Sequence, residues 1–316
     1  MNIIAVIGSG GTGSYLAENL VNKFNLHRDS TKIMLIDGDI LEEKNLERQA
    51  FFSDEVGMNK CDALKTRLES SCDEHVELDS LNDFINNARV FNKLFRKELK
   101  TPEEIRNFYI VSCVDNQYAR IRMTLAVHVL HRYFERSKTN TNVVYVDSGN
   151  TEFTGQTIAS RMNSKVSSGN EELKDFLDAV IDNKPYINKL KRAIKTFEGF
   201  DSRHELKTTF TSIEDWQNNL TKADHEVSCD VVAVSTPQNI LVNQLASASI
   251  LYSINSVMSG DVMEGMITVF NSKNFKIGLE QYMCDYSTFF KELLEWGLEE
   301  EGKDVLYNPK ELALNS

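Results

Sequence analysis

The chain has 316 residues, 41% of them hydrophobic, only four prolines, and a formal net charge of −12. Such a chain can bury a large core and is not disordered, and a uniformly acidic surface makes a poor non-specific ligand for nucleic acid or an anionic membrane. Five scattered cysteines (Cys61, Cys72, Cys113, Cys229 and Cys284) with no CxxC pair point to a reducing, cytoplasmic setting and to no structural zinc.

Ile3–Ile7 reads as a buried strand that runs straight into Gly8-Ser-Gly-Gly-Thr-Gly13, with a helix from about Thr12 to Phe24 behind it. A core strand at this position argues against a signal peptide, and no apolar run approaching ~20 residues is expected. The small residues of the turn let backbone N–H groups and a helix N-terminus come close to a phosphate. The next strand, Lys32–Ile36, ends in Asp37-Gly-Asp39, and an acid at the end of a second strand usually takes ribose hydroxyls. A polar loop through Asn45, Arg48 and Gln49 follows, then Gly57-Met-Asn-Lys60 opens a helix predicted over 59–70. An Arg and a Lys beside a glycine turn suit a triphosphate, which carries more charge than a nicotinamide dinucleotide. The strand Tyr109–Cys113 delivers Asp115-Asn116, with Arg120 one turn into a helix over 118–136. A carboxylate there suits Mg²⁺, whose other positions go to phosphate and water. With Val143–Asp147 as a further strand, the order predicts a doubly wound, mostly parallel, Rossmann-like α/β sheet. Gly8, Asp37, Asp115 and Gly149 then fall just past strand ends and share one crevice.

Composition changes after Ser160. Residues 163–226 are polar and lysine-rich, with helical patterns over 171–182, 186–197 and 213–220, and read as an insertion on top of the nucleotide site. Apolar pattern returns at Val227–Val234, followed by a helix from Pro237 to Met258 with Gly260 as its stop. Met263–Phe270 and Phe275–Leu279 read as a hairpin, and Tyr286–Gly297 as an acidic amphipathic tail. The chain thus divides into a Rossmann-like core over 1–160, a helical crossover insertion over 161–226, the remainder of the core with helix and hairpin over 227–283, and a tail over 284–316. The six histidines offer one ligand-like spacing, His128 and His131, without an acidic or cysteine partner, and read as core or surface residues.

The ordered set GxGGxG, DxDxxxxxNxxRQ, GxxK and strand-end Asp115-Asn116 resembles the ThiF/MoeB and ubiquitin-activating enzyme superfamily over roughly 2–160. Ser228-Cys229 followed by Pro237-Gln-Asn-Ile-Leu-Val-Asn243, and the hairpin, are similar to the ThiF-like branch of bacterial PRTRC-type gene clusters. The resemblance implies ATP-dependent adenylation of the C-terminal glycine carboxylate of a ubiquitin-like protein. In that frame Gly8, Gly10, Gly11 and Gly13 line the phosphates, Asp37 binds ribose with Asp39 beside it, and Asn45, Arg48, Gln49 and Lys60 hold and neutralise phosphates. Asp115 would ligate Mg²⁺ and Asn116 would border the same site. Arg48, Lys60 and Asp115 then carry the catalysis together with Cys229, since many relatives pass the acyl group to a cysteine; Cys229 stands where some ThiF-like members keep a sulfur-bearing cysteine and equally where a buried thiol is ordinary. The family context further implies a homodimer and a JAB-type metalloprotease in the same system. Two departures stand out: relatives' zinc-binding cysteine pairs are missing, and so is an arginine-bearing segment ahead of the first strand, for which Lys189, Lys191 and Arg192 are the candidate substitutes. They keep open a ThiF-like nucleotide-binding module without turnover. An NAD-dependent oxidoreductase is the other open alternative, against which Arg48, Lys60 and Asp115 argue.

Overall fold

A computed structural model describes residues 1–84, 99–115, 117–162, 171–182, 239–260 and 266–281. Its strands are β1 (Asn2–Ile7), β2 (Thr31–Ile36), β3 (Val76–Leu81), β4 (Asn107–Ser112), β5 (Asn142–Asn150), β6 (Thr154–Arg161), β7 (Met266–Asn271) and β8 (Lys276–Gln281). Its α-helices are α1 (Gly11–His27), α2 (Lys60–Leu68), α3 (Gln117–Ser137), α4 (Glu171–Ile181) and α5 (Ile240–Met258). The strands form one sheet in the order β3-β2-β1-β4-β5-β6-β7-β8. Pairing is parallel from β3 to β5 and antiparallel from β5 to β8. This is the α/β sheet that the strand–helix alternation predicted, closed by the expected C-terminal hairpin. The antiparallel extension through β6 was not legible as a strand.

The parallel strands are continuous apolar runs because both faces are covered. Ile4, Val6, Ile33, Leu35, Tyr109, Val111, Val144 and Val146 alternate onto one face and pack with Leu16, Leu20 and Phe24 of α1 and Ile250 and Ile254 of α5. On α3, Met123, Val127, Leu130 and Phe134 are buried, and the Phe134 ring meets Phe108 of β4 at 6.3 Å. The order reverses between β1 and β4, so the loops after β1, β2 and β4 open onto the switch-point crevice, where ligands of such sheets bind.

Several expectations are corrected. The described helix of the 161–226 segment, α4, does not lie over the crevice. Asp178 on α4 pairs with Arg132 at 2.8 Å and Asp182 pairs with Arg136 at 2.9 Å. Both arginines sit in the last two turns of α3, at the opposite end of the sheet from the strand-end loops. The rest of that segment, the strand expected at Val227–Val234 and the tail lie outside the described residues. α5 starts at Ile240 on the side chain of Asn239, which accepts the Leu241 N–H at 2.9 Å, and not at Pro237; its stop, Gly260, has the positive φ of +79° expected there. Gly149 is inside β5 rather than beyond it. α5 is also long and apolar enough by length and composition to cross a membrane, contrary to the expectation of no such run. Here it packs on α1, with Val242, Ala246, Ile250 and Ile254 fully buried.

The loop after β4 is held by a buried ion pair. Arg120 Nε meets Asp147 Oδ1 at 3.1 Å, the two side chains being 5% and 0% exposed. Arg120 Nη2 also donates to the carbonyls of Val114 at 2.6 Å and Ser148 at 2.9 Å, so one guanidinium ties the ends of β4 and β5. Arg120→Ala should therefore cost about 3–5 kcal/mol in urea unfolding, because it strands the Asp147 charge. Arg120→Met with Asp147→Leu should recover most of that, and a single-variant loss below about 1 kcal/mol would contradict the assignment.

Candidate functional site

The glycine turn is fixed by sterics. Gly8 has φ of +92°, and a Cβ added at Gly13 would lie 1.9 Å from the Gly8 carbonyl oxygen. Neither position accepts a side chain without moving the turn. A Cβ at Gly11 would strike Asn243 Nδ2 at 2.5 Å, whereas at Gly10 the nearest atom is Gln49 Nε2 at 3.8 Å. Gly10 caps α1 without a side-chain hydrogen bond, so the positive end of the helix faces the crevice uncapped.

Asp37 anchors this turn. Its Oδ2 accepts the Ser9 N–H at 2.5 Å and its Oδ1 accepts the Asp39 N–H at 2.8 Å. Burial pushes its pKa up, opposed by the nearby Lys60 and by the two N–H bonds. Each oxygen keeps a lone pair, so a hydroxyl of a sugar could still donate to it. Asp39 is more open and holds Lys60: Nζ to Oδ2 is 2.8 Å, with side-chain exposures of 9% and 39%. The two acids and the lysine are therefore brought together at the end of β2.

The polar loop is drawn in from both sides. Asn45 accepts the Glu42 N–H at 3.0 Å, which gives its Oδ1 a turn-forming role. The Arg48 carbonyl accepts from Asn243 Nδ2 at 3.2 Å, and Asn243 Oδ1 accepts from Asn150 Nδ2 at 3.1 Å. Asn150 Nδ2 also donates to Thr12 Oγ1 at 2.8 Å. Thus Asn243 of α5 holds the Arg48 backbone directly and is linked to the first turn of α1 through Asn150 of β5. Arg67 of α2 clamps the same loop: its guanidinium bonds both Glu55 oxygens at 2.8 Å, Glu18 at 3.0 Å and the Ala50 carbonyl at 2.7 Å. Gln49 is buried, and its Oε1 has no hydrogen-bond partner, as is also true of Ser9 Oγ.

Asp115 is exposed just beyond β4, on the loop that Arg120 holds. Asn116 and Cys229 lie outside the described residues. Among the described residues no group of three His, Cys, Asp or Glu could hold a metal. Burial pushes the Cys61 thiol up to about 12 and raises Cys113 and Cys72 as well, so none of the described thiols is primed as a thiolate. Cys113 lies one residue past β4 against the glycine turn, not inside the strand. His128 is buried and its pKa driven down to about 3, by burial first and then by His131, a core histidine as the sequence suggested.

Sequence reasoning missed Asn59, Asn243 and Arg67. Asn59 Oδ1 caps α2 through the N–H groups of Cys61 and Asp62, and its Nδ2 lies 2.9 Å from the carbonyls of Asp37 and Asp39 and from Asn82 Oδ1. Its place just before a helix was the available signal; Asn243 closes the run that starts at Pro237, but its role, like that of Arg67, is set by long-range partners.

The ThiF family model matches residues 2–175, more than half of the chain, and the chain belongs to that family. It is 28% identical over 155 residues to ubiquitin-like modifier-activating enzyme 5 of Caenorhabditis elegans, covering 47% of this chain and 35% of that protein. It is 31% identical over 144 residues to the protein of the same name in Oryza sativa subsp. japonica, covering 45% of this chain and 33% of that protein. The chain thus spans about a third of the length of the curated relatives it matches. In fold it is similar to PaaA, with a TM-score of 0.51, 16% identity, and 89% and 73% of the two chains covered. It is likewise similar to E. coli MccB crystallised with succinimide, with a TM-score of 0.50, 16% identity, and 90% and 64% covered.

Because the buried Asp37 is raised in the folded state, the stability it lends is full below the ordinary carboxylate range and is lost as pH rises through its folded value. The stability of the wild type relative to Asp37→Asn should accordingly be greatest in acid and decline toward neutral pH in urea unfolding. A difference that grows in the wild type's favour with rising pH would contradict the burial argument.

Proposed function

We propose that this ThiF-family chain binds ATP at the switch-point crevice and adenylates the C-terminal carboxylate of a ubiquitin-like protein that ends in glycine. The observation that carries the reading is the convergence at one uncapped glycine turn of Asp37, the Asp39–Lys60 pair and the Arg48–Gln49 loop. Gly8, Gly10, Gly11 and Gly13 give the phosphates backbone access. Arg48 and Lys60 supply two cations, with Gln49 and Asn45 beside them. Asp37, with Asp39, takes the ribose hydroxyls.

In the reaction a carboxylate oxygen of the acyl donor attacks the α-phosphorus. The bond from that phosphorus to the β-bridging oxygen breaks, acyl-adenylate forms and pyrophosphate leaves. Negative charge grows on the phosphoryl oxygens at the transition state, and positive groups fixed in advance stabilise it without reorganising. Lys60 suits this role because it is paired with Asp39 and largely desolvated before substrate arrives. A phosphate then competes with Asp39 for the same ammonium. Asp115 is the residue for Mg²⁺, which would add charge neutralisation on the phosphates, and Asn116 would border the same site. Cys229 is the candidate acceptor for a subsequent thioester, because a thiolate is a strong nucleophile near neutral pH. A homodimer, and a place in a PRTRC-type bacterial system with a JAB-type metalloprotease, belong to the same proposal.

The reading is tested by ATP–pyrophosphate exchange, with and without the ubiquitin-like protein encoded nearby. Exchange should need that partner and fall on the order of 10²–10³-fold in Asp115→Ala and in Lys60→Ala. Cys229→Ala should leave exchange intact while abolishing any thiol-sensitive conjugate. ATP binding without exchange in the presence of the partner would favour a nucleotide-binding module without turnover.

A further inference from the structure

Phe84 has no part in the reading above, yet its ring lies against the site. It follows β3 by three residues and is fixed by short backbone ties: the Asp83 N–H donates to the Leu81 carbonyl at 2.9 Å, and the Phe84 N–H donates to Asp83 Oδ1 at 2.9 Å. Asn82, between them, bonds Asn59, which also bonds the carbonyls of Asp37 and Asp39. The ring rests on the backbone of Gly38. A Cβ at that glycine would lie 2.4–2.7 Å from three ring carbons. Gly38 is thus the residue whose missing side chain lets an aromatic ring lie between the two acids. Phe84 is nevertheless 46% exposed.

Single exposed aromatics are common on protein surfaces and need no ligand to explain them. Here, however, the features form an ordered row: the uncapped turn Gly8–Gly13, then Asp37 bonded to Ser9, then Gly38 under Phe84. A charged end, a hydroxyl-bearing middle and a flat apolar end are met in that sequence, which is the sequence of parts in a nucleoside triphosphate. We infer that Phe84 is the base platform of the nucleotide site, stacking the purine of ATP on its open surface. The inference rests on the nucleotide reading proposed above and assigns the residue that reads the base. An aromatic ring suits that task because every base has a π-face and stacking needs no hydrogen-bond code.

The test titrates wild type, Phe84→Ala and Phe84→Trp with ATP and with inorganic tripolyphosphate by calorimetry. Phe84→Ala should weaken ATP binding roughly ten-fold or more and leave tripolyphosphate binding unchanged, and Phe84→Trp should restore ATP binding. Unchanged ATP affinity in Phe84→Ala overturns this inference alone. Parallel loss of tripolyphosphate also overturns it, by showing that the ring supports the Gly38 loop and not the base. A wild type that binds neither probe overturns the nucleotide reading and this inference with it.

Discussion

The carboxylate of Asp37 is buried with one oxygen on the Ser9 N–H and the other on the Asp39 N–H. Those two bonds join the end of β1 to the end of β2 across the mouth of the sheet. A buried carboxylate is costly unless it is paired and hydrogen-bonded, and Lys60 supplies charge that offsets part of this cost. Lys60 in turn is placed by the cap of α2, where Asn59 spans the carbonyls of Asp37 and Asp39. The turn, the acids and the lysine therefore stand or fall as one network, and removing any member leaves another buried group unsatisfied.

The second half of the chain completes that network from a distance. Asn243, nearly 200 positions beyond Arg48, fills the space that a side chain at Gly11 would need and holds the Arg48 carbonyl. α5 is brought there by apolar packing on α1 and by polar ties such as Asn19 to Ser247 at 2.9 Å. The crevice is thus floored by parallel strands, walled by the Arg67-clamped loop, and pinned from behind by α5. For the proposed adenylation, groups fixed in advance in this way matter because donors that must first reorganise contribute less to stabilising a phosphoryl transition state.

How much of this was legible depends on where each residue's partners lie. β1, β2, β4 and β5 were readable because strands buried on both faces are unbroken apolar runs. β3 was not, because Val76-Glu-Leu-Asp sits at the sheet edge with polar residues on one face, and β6 was not, because Thr154-Gly-Gln-Thr carries few apolar side chains. The glycine turn, Asp37, Asp39, Arg48, Gln49 and Lys60 stand out in the sequence because they occur in a fixed order along a short stretch, and hydrogen bonds and an ion pair join the turn, Asp37, Asp39 and Lys60 in the fold. Asn45 emerged mainly as a turn former. Arg120 was noticed beside Asp115, but its partner Asp147 lies on another strand, so its buried ion pair was invisible in the pattern. Asn243, Arg67 and Phe84 share that property: their roles are set by tertiary neighbours. The placement of the 161–226 segment over the site was an inference from composition, which carries no direction; its one described helix, α4, docks on the far end of α3.

The most direct measurement is a crystal structure of the chain with Mg²⁺ and a non-hydrolysable ATP analogue. The account expects the triphosphate over Gly10–Gly13, with the Arg48 and Lys60 side chains on phosphate oxygens and Lys60 drawn away from Asp39. A nucleotide bound elsewhere, or a Lys60 still paired with Asp39 while the phosphates point to solvent, would contradict it.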